Sequence, residues 1–173
     1  MKILRNIFQI LLILIVAFYI SLFSKTGVKL FDADILIAYI GILIGFAITI
    51  YTFSLSLIPQ IKDLMVRDKK ITTEKREKYI KGLLVGFQEL KEDVKLISYC
   101  LYASIVVVMC QGINLNYTHA IKIQDNGFAL TFDLISFFKI SFFLLATRSF
   151  IDLINSLLTM SGIYTELIKH ADN

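Results

Sequence analysis

Apolar residues gather into four long runs, at residues 7–23, 35–58, 97–113 and 128–147, separated by polar stretches that hold most of the charge. Each run comes near the roughly 20 residues that carry a helix across a bilayer's hydrocarbon core. The expected fold is therefore all-α: one integral-membrane four-helix bundle over 1–173, with spans two to four extended into the cytosol as a helical stalk. A cytosolic helical segment at 59–96, an outer loop at 114–127 and a cytosolic C-terminal helix at 148–170 complete the map. The first run follows Lys2 and Arg5, as a signal peptide would, but no small-x-small cleavage site follows "AFYISLFSKTG", so it is read as a span.

Between the second and third runs the pattern changes without vanishing. Ile80, Leu83, Phe87, Leu90, Val94 and Ile97 recur at alternating steps of three and four, the a/d spacing of a helix that buries one seam. The seam enters the third run without a break, so one helix from about Thr73 to Ile113 is expected, capped by Thr72 or Thr73 with Glu74 in its first turn. Its expected internal partners are the extension after the fourth run and a continuation of the second through Ile61, Leu64 and Met65; another subunit or a cytosolic protein is the alternative. Gly82 and Gly86 beside the seam suggest a close helix crossing.

The second run places Ala38, Gly41, Gly45, Thr49, Thr52 and Ser56 on one helical face, with Gly41 and Gly45 forming GxxxG. Small residues let backbones approach in lipid, where no hydrophobic force drives association. Packing inside the bundle and contact with another subunit both fit. The fourth run poses a question of register, because Arg148, Asp152 and Asn155 share a face with Ser141 and Thr159. A span starting near Phe128 releases Arg148 at the cytosolic interface and makes the stripe a solvated face, backed by Phe150, Ile154, Leu157, Tyr164 and Ile168. A span from Ile140 to Leu158 buries it at mid-membrane. The first needs no desolvated charge and is preferred; Lys139 then snorkels outward or meets a polar group on a neighbouring helix.

Composition agrees with a membrane protein: 57% of residues are hydrophobic and mean hydropathy is +0.72. Charge adds orientation. The segment 59–96 holds Lys62, Arg67, Lys69, Lys70, Lys75, Arg76, Lys78, Lys81, Lys91 and Lys95, against Lys25, Lys29 and Lys122 on the opposite side. Basic residues resist translocation, so both termini and 59–96 are expected in the cytosol. Lipid headgroups account for the net charge of +4, and no direct nucleic-acid contact is expected.

Candidate chemistry is sparse. His119 and His170 lack metal-ligand spacing, Cys100 and Cys110 form no CxxC pair, and HExxH, GxSxG and P-loop patterns do not occur. No enzyme activity, cofactor or metal is expected. Asn116 begins an N-x-T triplet, relevant only in a eukaryotic secretory pathway. The stretch "NLNYTHAIKIQDNGFALTFD" alternates around the turn signal DNG and suggests a small outer hairpin. Two functions fit: a homo-oligomeric scaffold that couples an envelope signal to a cytosolic protein effector, or a pore-forming or ion-conducting subunit.

The chain's size, its inward-facing termini, the basic helical segment from Lys62 to Lys95 and the extension after Arg148 together resemble the four-span membrane subunit of the Kiwa antiphage defence system. The resemblance implies an oligomer at the bacterial inner membrane that senses phage-induced envelope disturbance and works with a cytosolic effector. It transfers no functional residues.

Overall fold

The computed structural model describes residues 2–23, 32–67, 72–112, 120–125 and 128–171, with side-chain burial described for 7–22, 32–66, 72–110 and 134–169. Four helices and one hairpin follow in the order α1 (Lys2–Phe23), α2 (Ala33–Arg67), α3 (Thr73–Gly112), β1 (Ala120–Asp125), β2 (Phe128–Asp133) and α4 (Leu134–Ala171). Among the described residues α2, α3 and α4 are long and apolar enough to cross a membrane, while the apolar stretch of α1, Ile7–Leu22, is shorter.

The helix ends follow local chemistry. The Asp32 carbonyl accepts the first helical bond of α2, from Leu36 N at 3.0 Å, and Asp34 lies in the first turn, where the helix dipole favours an acid. Thr72 caps α3, its Oγ1 accepting from Lys75 N at 3.4 Å. α2 continues through Pro59 to Arg67, and the Arg76 guanidinium donates from Nη2 to the Met65 carbonyl at 2.8 Å, satisfying an acceptor in the last turn of α2.

One boundary differs from the sequence expectation. Phe128–Asp133, assigned there to the start of the fourth span, is strand β2, paired antiparallel with β1 from Ala120↔Asp133 to Asp125↔Phe128. The segment FALTFD holds two phenylalanines and a β-branched threonine, residues that fit a pleated ladder, and a turn signal precedes it. α4 accordingly begins at Leu134, six residues later.

The chain divides into two compact units. Unit 1 comprises Met1–Leu43 and Ile97–Arg148; unit 2 comprises Ile44–Leu96 and Ser149–Asn173. In unit 1 the buried side chains include Ala17, Ser21, Leu36, Ile40, Ile97, Cys100, Ser104, Ile140, Ser141 and Ala146. The hydroxyls of Ser21, Ser104 and Ser141 each donate to a carbonyl of their own helix, so their burial leaves no donor unmet. β2 lies against α1. Unit 2 is a three-helix arrangement of α2, α3 and α4 segments around Leu57, Ile61, Met65, Leu83, Leu90, Leu153, Met160 and Leu167. Each of its helices buries residues seven apart, at Ala47, Ser54 and Ile61, at Leu83 and Leu90, and at Leu153, Met160 and Leu167.

Candidate interaction surface

Two aromatic contacts and one hydrogen bond set the level of each helix in unit 2. Phe46 meets Phe150 with ring centroids 6.4 Å apart, and Tyr51 stacks on Phe87 at 5.1 Å. The Tyr164 hydroxyl donates to Gln60 Oε1 at 3.2 Å. The lower part of the second apolar run therefore lies beside the charged half of α3. That neighbourhood is invisible in either segment alone.

The small-residue stripe of α2 is largely exposed. Ala38, Gly45, Thr49, Thr52 and Ser56 are exposed and Gly41 is half-buried; a Cβ added at Gly41 or Gly45 would meet nothing within 4 Å. Thr49 and Thr52 donate to the carbonyls of Gly45 and Ile48 in their own helix, at 2.9 and 2.8 Å. In unit 2 the stripe is flanked by Phe46 and Phe53 on one side and Ile48 and Leu55 on the other, all exposed. Of the stripe, only Gly41 is partly covered. The inward face of α2 is occupied by Ala47, Ser54, Leu57 and Ile61 instead.

The seam of α3 is partly internal. Leu83, Leu90 and Ile97 are buried and Phe87 and Val94 half-buried, whereas Ile80 lies at the exposed edge. Gly82 and Gly86 do face α4, but a Cβ at Gly86 would meet Met160 Cγ at 3.5 Å and one at Gly82 would meet Ile163 Cδ1 at 3.8 Å. Those are ordinary van der Waals separations, so the suspected crossing is not close enough to require glycine. Tyr79 hydrogen-bonds Glu166; burial first, then that bond and the carboxylate's charge, push its hydroxyl above the usual tyrosine range.

Arg148 is half-buried at the end of unit 1 and donates from Nη2 to Gln9 Oε1 of α1 at 2.6 Å. Asp152 is half-buried, while Asn155 and Thr159 are exposed; Ser141, on the same helical face in unit 1, is buried. The expected inner face of the extension is also displaced. Leu153, Met160 and Leu167 are its buried residues, and Phe150, Ile154, Leu157, Tyr164 and Ile168 flank them half-buried. Lys139 is 8% exposed. Nearby in unit 1, Tyr39 stacks on Phe143 at 4.6 Å, and its hydroxyl lies 3.1 Å from Thr147 Oγ1. Thr147 gives its proton to the Phe143 carbonyl, so Tyr39 is the donor to it.

Among the described residues, no three His, Cys, Asp or Glu side chains group as metal ligands. What the geometry offers is surface. α3 of unit 2 exposes Lys78, Lys81, Lys91, Glu92 and Lys95, and α2 of the same unit exposes an uncharged apolar face. The hairpin expected at residues 114–133 is present over its described strands; Asn116 and His119 lie outside the described residues. No family model matches the chain, and no curated protein or solved structure matches it either.

Proposed function

We propose that this chain is a multi-pass protein of the bacterial inner membrane, in which α1 spans as well as α2, α3 and α4, with both termini, residues 59–96 and the extension after Arg148 in the cytosol. There it acts as a homo-oligomeric scaffold that passes an envelope signal to a cytosolic protein. The observation that carries the reading is the contrast in exposed surface between the two halves of α3, with α1 agreeing with the upper one. In unit 1, α1 presents Phe8, Leu11, Leu12, Ile15 and Tyr19, and α3 presents Tyr99, Tyr102 and Met109, surfaces suited to hydrocarbon. In unit 2, α3 presents Lys78, Lys81, Lys91, Glu92 and Lys95, with Leu84 and Val85 between them.

Magnitudes favour water around the charged half of α3. Placing Lys78, Lys81, Lys91, Glu92 and Lys95 in hydrocarbon would cost about 3 kcal/mol each on the insertion scale. The half-exposed Phe46, Ile48, Phe53 and Leu55 would recover about 1 kcal/mol each. The charges win. The exposed pair Lys95–Glu92, at 3.1 Å, offsets little of that cost.

With α4 starting at Leu134, Arg148 is its fifteenth residue and bonds Gln9, a few positions after the basic start of α1. A polar pair near Lys2 and Arg5 suits a cytosolic headgroup region, which supports the shallow register despite the later helix start. The layout's likeness to the Kiwa membrane subunit supports a role in antiphage defence, with phage damage to the envelope as the signal. Reporter fusions at Gln124 and Lys70 test the topology: the reading expects opposite sides with Lys70 cytosolic, and a cytosolic Gln124 contradicts it. Phage plating on cells carrying the chain with its neighbouring genes tests the biological role. Unchanged plating efficiency across envelope-attacking phages removes the defence assignment.

A further inference from the structure

Among the described residues Lys139 is the one charged side chain that is buried, at 8% exposure, and Ile140 and Ser141 beside it are buried as well. No hydrogen bond or ion pair with another described residue reaches its ammonium. The interior of unit 1 offers it no acid. Where side chains are described, the acids of that unit are Asp32 and Asp34 at the entry to α2, and both are exposed. A lysine ammonium enclosed by protein inside a membrane is kept charged only by an anion that meets it.

We infer that Lys139 is the cationic centre of an anion site at the outer end of unit 1, whose ligand is a phosphate-type oxyanion, on a lipid headgroup or free. The inference rests on the orientation proposed above and gives the envelope signal a chemical class. Tyr39 stacks on Phe143, and α2 and α4 both start from the outer side in that orientation, so Lys139, one turn before Phe143, stands level with Ile35, one turn before Tyr39. Ile35 is in the first turn of α2, and Lys139 is the sixth residue of α4. Two helix starts therefore lie at or just above the level of the lysine, and their free N–H groups and dipoles favour negative charge there. Asp34 offsets this in α2, whereas the first turn of α4 has no acid. Five residues at 1.5 Å each put the Lys139 backbone about 7.5 Å inside the start of α4, a distance that a lysine stem leaning toward its helix N-terminus largely spans. The ammonium thus comes within reach of the headgroup level, where phosphate is the abundant anion. A tetrahedral oxyanion can accept from the ammonium and from backbone N–H groups at once.

Thermal unfolding of the full chain in maltoside micelles tests this, because that detergent carries neither charge nor phosphate. Wild type and Lys139→Met are titrated with inorganic phosphate in one arm and with phosphatidylglycerol in the other. The wild-type midpoint is expected to rise in at least one arm, and Lys139→Met to need about tenfold more ligand or higher for the same rise, the loss of one charge-assisted hydrogen bond. Cations elsewhere on the chain act alike in both proteins, so the difference reads position 139. A difference with phosphatidylglycerol alone makes the ligand a lipid headgroup; one with inorganic phosphate makes it a free oxyanion. Equal responses of the two proteins in both arms, or no response from wild type in either, overturn the inference. Lys139→Gln repeats the comparison with a polar, uncharged side chain should the methionine variant fold poorly. Micelles have no sides, so a failed site leaves the topology reading standing, and reversed reporter fusions leave a positive result as an anion site on the other side of the membrane.

Discussion

The interiors of the two units are built from different residues. Unit 1 buries Ala17, Ser21, Cys100, Ser104, Ser141 and Ala146 beside a few leucines and isoleucines. Unit 2 buries chiefly Leu57, Ile61, Met65, Leu83, Leu90, Leu153, Met160 and Leu167. The difference follows the two environments proposed for them. In hydrocarbon, moving a leucine from the surface to the interior gains little, and helices associate through close backbone approach, for which small side chains serve. In water, removing large apolar side chains from solvent is the main favourable term. Exposed surfaces reverse the pattern: α1 of unit 1 shows phenylalanine and leucine outward, whereas α3 of unit 2 shows lysine and glutamate.

The most damaging challenge to unit 2 should be truncation. Leu153 is fully buried, and Leu153→Ala should destabilise the protein by about 2–5 kcal/mol, because the lost transfer energy adds to the cavity left behind. Thermal unfolding in detergent or nanodiscs reads this as a lowered midpoint. In unit 1 the sensitive direction is the opposite one. Ser104 is fully buried with its hydroxyl bonded to the Cys100 carbonyl at 2.7 Å, so Ser104→Leu should cost about 1–3 kcal/mol by forcing helices apart, while Ser104→Ala should be nearly silent. If Ser104→Leu stabilises, the small-residue packing argument for unit 1 fails. The smallest expected effect has the opposite sign. Gly86→Ala places a methyl at ordinary contact with Met160 and removes a helix-interior glycine, so it should stabilise by about 0.5–1 kcal/mol, visible as a higher unfolding midpoint.

These contrasts also show where the sequence is legible. The seam of α3 could be read because Leu83, Leu90 and Ile97 stand among lysines and glutamates, so their period is visible against a polar background. The cap at Thr72 was legible for the same local reason. α2 hides its inward face because residues 44–58 carry no charge on any side; periodicity cannot separate Ala47 and Leu57, which are buried, from Phe53 and Leu55, which are exposed. The GxxxG spacing was plain, but its direction depends on what surrounds the helix. Residues 128–133 fit both the start of a span and the second strand of the outer hairpin, because FALTF is as apolar as a membrane helix and too short for periodicity to decide. The Arg148–Gln9 bond joins residues 139 positions apart and leaves no local trace. In α4, the seven-residue spacing of Leu153, Met160 and Leu167 was present but overshadowed by the polar stripe on the opposite face.

The division between hydrocarbon around unit 1 and water around residues 59–96 and the extension after Arg148 is tested most directly by spin labels in reconstituted bilayers. Labels would be placed singly, in a background with Cys100→Ala and Cys110→Ser, at Tyr102 and Phe138 of unit 1 and at Leu84 and Leu158 of unit 2. All four side chains are exposed and apolar, so local polarity does not bias the result. Relaxation by oxygen reports lipid, and relaxation by a water-soluble nickel complex reports solvent. The expected result is oxygen-dominated relaxation at Tyr102 and Phe138 and nickel-dominated relaxation at Leu84 and Leu158. Oxygen-dominated relaxation at Leu158 would place Arg148, Asp152 and Asn155 at mid-membrane and contradict the division.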